Sequence, residues 1–111
     1  MTEQQLQAQC FIWHWNTYPK ERRMLFHADN NSFNQIIGNR KKSQGVVSGV
    51  ADLILILWGS RSLYIEMKTE TGRQSQTQIE FMQKVQERGH QYVLVRTFED
   101  FKILITTIYG N

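Results

Sequence analysis

Two carboxylates, an ammonium and an amide stand between positions 52 and 78: Asp52, Glu66, Lys68 and Gln78. Their types and spacing suggest magnesium-dependent phosphodiester hydrolysis. ADLILIL (51 to 57) and LYIEMK (63 to 68) read as strands, and WGSRS between them carries turn residues, so the two are expected to pair as an antiparallel hairpin. Side chains alternate along a strand, which places Glu66 and Lys68 on one face and brings Asp52 close to them. Carboxylates crowded at the end of an apolar sheet are costly unless a cation neutralises them, and hard oxygen donors select Mg²⁺ or Mn²⁺. The competing reading makes Glu66 and Lys68 an i,i+2 surface pair and Asp52 an ordinary strand-start residue.

Elements on either side must position this cluster. Thr2 and Gln5 form a capping box for a first helix whose stripe is Leu6, Cys10 and Trp13 and which runs to about Thr17, before Pro19. Glu3 falls on or beside the buried side of that helix, either stabilising its first turn or facing a site. A strand over 23 to 27, a basic helix over 35 to 42 and the Gly-rich QGVVSGV precede the hairpin. Ser75 and Gln78 cap a second helix, traced by Ile79, Met82 and Val85 and stopped at Gly89. Gln78 is therefore shared between a cap and a catalytic contact. A strand over 91 to 96 and a helix continuing at least to Leu104 complete the order. The second helix can serve as a parallel crossover, giving a mixed sheet flanked by helices.

Composition sets the class. The chain's 111 residues suit one domain, and 41% hydrophobic with 21% charged residues describe a globular protein without disordered or membrane bias. The polar start is unlike a signal peptide, and no stretch suits a membrane span, so a cytoplasmic location is expected. One cysteine, Cys10, excludes an internal disulfide; with His14 it lacks the paired spacing of a zinc site. The net charge is +3, and its excess lies at 20 to 42, where Arg40, Lys41 and Lys42 form either a phosphate-attracting patch or a solvated basic face. Phe11, Trp13, Trp15 and Tyr18 are read first as core or interface and second as base-stacking surfaces.

The segment 45 to 95 resembles the VRR-NUC domain, the virus-type replication-repair nucleases of the PD-(D/E)xK superfamily. GVAD (49 to 52), IEMK (65 to 68), S-x-x-Q (75 to 78) and GHQYVLV (89 to 95) carry the resemblance, with a weaker match at HADN (27 to 30). It implies an α/β, restriction-endonuclease-like αβββαβ core. It also implies that Asp52, Glu66 and Glu3 bind metal with the Met67 carbonyl, Glu3 being the acid on the first helix that completes the site, that Lys68 orients or activates the attacking water, and that Gln78 lies near the lysine and phosphate. Asn30, Arg40, Lys41, Lys42 and Arg73 are the expected nucleic-acid-binding residues. Ala51 stands where family members often have proline, and Asp29 and Asn31 replace residues flanking Asn30. The implied activity is a Mg²⁺- or Mn²⁺-dependent DNA endonuclease acting on branched, flap or Holliday-junction DNA in replication, recombination or repair, in a bacterial or phage-infected cell. The small size suggests a homodimer. The alternative is a nucleic-acid-binding module that keeps the fold without cutting.

Overall fold

The computed structural model describes residues 1–28, 39, 40 and 42–110. Helix α1 spans Glu3–Thr17, followed by a short 3-10 turn at Pro19–Glu21 and strands β1 (Leu25–His27), β2 (Leu53–Ile56) and β3 (Ser62–Met67). Helix α2 (Gln76–Glu87), strand β4 (Gln91–Val95) and helix α3 (Phe98–Tyr109) complete the order. The sheet runs β1-β2-β3-β4, with the first two pairings antiparallel and the last parallel. The expected hairpin and crossover are both present.

The helix ends follow their sequence signals. Thr2 and Gln5 form the reciprocal capping box of α1, and Ser75 and Gln78 form that of α2, so orphan N–H groups at each start are satisfied. Gly89 ends α2 by taking φ +85°, which lets its N–H reach the Gln86 carbonyl at 3.0 Å and the His90 N–H reach that of Val85 at 3.1 Å. Thr97 caps α3.

Two local expectations need correction, and one left open is settled. The strand predicted from position 23 starts at Leu25, because Arg23 has φ +78° and cannot extend the ladder. The last helix continues past Leu104 to Tyr109, since Phe101 and Ile105 recur at helical spacing and both are buried. On α1, His14 rather than Trp13 joins Leu6 and Cys10 as the buried residue. Its Nε2 lies 2.7 Å from the Tyr109 hydroxyl, which satisfies a polar group taken out of water. Trp13 packs at the flank, edge-on to Tyr18, Phe98 and Phe101. The predicted helix over 35 to 42 falls largely outside the described residues; residues 39, 40, 42 and 43 are helical.

Alternation divides the sheet into two faces. Leu53, Leu55, Leu63, Ile65, Met67 and Val95 meet Leu6 and Cys10 of α1 and Phe101 and Ile105 of α3 in one buried cluster. This core provides the main drive to fold; removing the ring of Phe101, which is fully buried, would cost roughly 3–5 kcal/mol. On the opposite face Tyr64 and Tyr92 meet Phe81 of α2, with ring centroids 6.0 and 6.2 Å apart. Glu66 belongs to that second face.

Candidate active site

The site lies where β2 begins and β3 ends. Leu53 pairs with Ile65, and the next step of the same register sets Asp52 opposite Glu66. The Met67 N–H donates to Asp52 Oδ2 at 2.6 Å, clamping the carboxylate onto the neighbouring strand. The Asp52 carbonyl accepts from the Ala28 N–H at 3.0 Å and lies 2.8 Å from His27 Nδ1, a contact that requires the Nδ1–H tautomer. Burial pushes the Asp52 carboxyl above the usual carboxylate range; the Met67 hydrogen bond opposes this, and the charges of Glu66 and Glu3 add to it.

The approach to Asp52 is fixed by Gly49. It has φ +82°, and a Cβ built there would stand 2.9 Å from Thr77 Cβ. The Gly-rich loop thus lies directly on the first turn of α2, at a distance only glycine allows. Backbone on both sides of Asp52 is anchored.

Glu66 is fully buried. Its Oε1 accepts from the Tyr92 hydroxyl and from Gln74 Nε2, the latter at 3.1 Å. Among the described residues, no hydrogen bond reaches Oε2. Lys68 Nζ lies 3.9 Å from that oxygen, and 3.6 Å from Glu3 Oε1. A buried carboxylate oxygen without a hydrogen bond carries a desolvation cost that a cation would offset. Glu66 Oε2 and, at the opposing register position on the neighbouring strand, the Asp52 carboxylate are hard oxygen donors of the kind Mg²⁺ and Mn²⁺ prefer.

Lys68 is 7% exposed, so the surface-pair reading of Glu66 and Lys68 does not hold. The first turn of α1 accounts for this, placing the half-exposed Glu3 over the ammonium. Glu3 thus bears on the site through Lys68. Among the described residues, no group of three or more His, Cys, Asp or Glu stands close enough together to hold a metal ion.

The other expected residues divide. Gln78 Oε1 accepts from the Ser75 N–H at 2.8 Å, the contact of a helix cap. The amide that reaches the carboxylate is Gln74, four residues earlier. Arg73, Arg40 and Lys42 are exposed, while Asn30 and Lys41 lie outside the described residues. Met67 is the last residue of β3, between Glu66 and Lys68, its N–H bonded to Asp52. Tyr92, Gln74 and Arg96 carry no role in the sequence pattern set out above. Tyr92 pairs with Tyr64 in the parallel ladder, so alternation alone would have put it on the face of Glu66. Arg96 Nη1 donates to the carbonyls of Thr69 and Gly72 at 2.9 and 2.7 Å, closing the turn that leads to Gln74.

Comparison with known proteins agrees with this architecture. The model of the VRR-NUC domain family matches residues 1–99. A solved structure described as a VRR_NUC domain protein is 21% identical, with a TM-score of 0.80 over 99% of this chain and 89% of that chain. At that identity the likeness speaks for the fold. No curated protein matches the sequence. No described helix is long and apolar enough to cross a membrane. The family match over most of the chain, on a mixed four-stranded sheet flanked by helices, shows that this chain belongs to the VRR-NUC domain family and has its nuclease-type fold.

Proposed function

We propose that the protein is a Mg²⁺- or Mn²⁺-dependent DNA endonuclease whose site is Asp52, Glu66 and Lys68, with Glu3 holding the lysine. The observation that carries this reading is the fully buried Glu66, whose Oε2 accepts no hydrogen bond among the described residues. Asp52 and Glu66 would hold the cation, with the Met67 carbonyl as a further ligand. When bound, the cation supplies a water acidic enough to attack at neutral pH and positive charge facing the phosphoryl oxygens. Lys68 has three donor hydrogens on a buried ammonium, and Glu3 restrains it at 3.6 Å. From there it orients the attacking water and offsets the charge that develops on the phosphate. The exposed Arg40, Lys42 and Arg73 provide positive charge for the DNA backbone.

Branched DNA and a two-fold assembly are part of the proposal. A small domain has limited surface for a duplex, and a symmetric dimer offers two sites to a junction. Trp15, Phe26 and Ile12 are large apolar side chains exposed on α1 and β1, the kind of surface such a pairing would cover. The test is a cleavage assay across flap, junction and linear duplex DNAs with Mg²⁺, Mn²⁺ or chelator, alongside the mass in solution. Cutting that requires the metal and prefers branched substrates is expected; equal nicking with chelator present would sink the metal-dependent reading.

A second reading, a nucleic-acid-binding module that does not cut, draws on two observations. Glu3 engages Lys68, and no cluster of three metal-ligating side chains forms among the described residues. A Mn²⁺ titration separates the two readings: no binding, with DNA affinity unchanged in Glu66→Ala, would favour the module.

A further inference from the structure

Two groups outside the proposed reaction converge on the buried carboxylate. The Tyr92 hydroxyl comes from β4 and the Gln74 amide from the turn ahead of α2, and both donate to the same oxygen, Glu66 Oε1. The ring of Tyr92 packs edge-on against Phe81, a contact phenylalanine would preserve; only the hydroxyl is specific to Glu66. Gln74 reaches Met82 Sδ at 3.6 Å besides the carboxylate. Its turn is tied to the end of β4 by the bonds from Arg96 to the Thr69 and Gly72 carbonyls. The strand beside Glu66 therefore holds it twice, directly through Tyr92 and through the turn that carries Gln74.

A carboxylate with two donors on one oxygen cannot turn about its terminal bond without breaking both. Its second oxygen is thereby aimed, and here that oxygen lies on the side of Lys68, 3.9 Å away. We propose that Tyr92 and Gln74 are positioning residues that grip Glu66 by Oε1 and so present Oε2 to the divalent cation. The inference rests on the metal-dependent reading above. Groups that orient a metal ligand from behind in this way typically contribute ~10–100-fold in metal affinity or activity.

The test uses Tyr92→Phe and Gln74→Leu in the full chain, with calorimetric titration of Mn²⁺ and cleavage kinetics at several Mn²⁺ concentrations. Each variant is expected to bind Mn²⁺ about 10-fold more weakly or worse, to keep the wild-type KM for DNA, and to recover kcat as Mn²⁺ is raised. Recovery by metal with an unchanged KM is a signature that general loosening of the fold would not give. If both variants bind Mn²⁺ and cut within twofold of wild type, the positioning role is overturned while the nuclease reading stands. If the wild type neither binds Mn²⁺ nor cuts, both fall. Should Tyr92→Phe fail to fold, Gln74→Leu, in a half-buried turn, decides the same question.

Discussion

Gly49→Ala should destabilise the protein more than its size suggests. The new methyl meets Thr77 Cβ at 2.9 Å and the Thr77 carbonyl carbon at 3.0 Å, and the backbone there has φ +82°. A side chain in the left-handed region costs roughly 1–2 kcal/mol, and forcing a methyl into occupied space adds roughly 1–3 kcal/mol. The total, ~2–5 kcal/mol, corresponds to a fall in Tm of roughly 8–20 °C for a domain of this size. Gly45→Ala supplies the control, because φ is +99° there but nothing lies within 4 Å of the added Cβ. That variant carries strain alone, about 1–2 kcal/mol. Thr77→Ala should not rescue Gly49→Ala, since alanine retains the clashing Cβ. Any relief must come from the loop moving, and Asp52 is three residues on, so metal binding should weaken together with stability. Thermal and denaturant unfolding of the three variants measure this. A Gly49→Ala protein no less stable than Gly45→Ala would refute the close approach of loop and helix.

Two further predictions concern buried groups on α1. Burial lowers the His14 pKa below its ordinary value, so the stability of its neutral form is fully present above about pH 6.5 and is lost as pH falls through the depressed folded value. Tm should therefore fall on acidification from pH 7 to 5, and His14→Gln should flatten that slope; an unchanged slope would argue against a buried neutral imidazole. Cys10 is fully buried and its thiol is pushed up to about 12, so a disulfide reagent should label it only as fast as the fold opens. Labelling at the rate of a free thiol in native buffer would contradict that burial.

Much of this architecture is legible in the sequence because it is locally encoded. Both capping boxes are i,i+3 pairs, and the hairpin follows from a short turn between two apolar runs, a local signal that by itself sets Asp52 near Glu66. What escapes such signals depends on contacts distant in sequence. Trp13 and His14 are adjacent on α1, and the choice between them is made by Tyr109, at the other end of the chain. FEDFKILITTIY (98 to 109) repeats apolar residues at helical and at alternating spacing, so only packing against α1 and the sheet shows how far α3 runs. Lys68 can be read as exposed because nothing within its strand reveals that the first turn of α1 covers it. Gln74 and Gln78 illustrate the same limit. Gln74 precedes the cap of α2 and Gln78 lies in its first turn, and the three-dimensional course of the chain decides that the first meets Glu66 and the second the backbone.

If the buried carboxylate and its lysine carry metal-dependent phosphodiester hydrolysis, the charge at position 66 is indispensable. Glu66→Gln removes that charge alone, because the amide keeps the shape and an acceptor for Tyr92. Cleavage of a branched DNA with Mg²⁺ should be abolished, and Mn²⁺ binding lost, with the thermal unfolding transition retained. Wild-type cutting by Glu66→Gln under the same conditions would show that this carboxylate does not hold the metal.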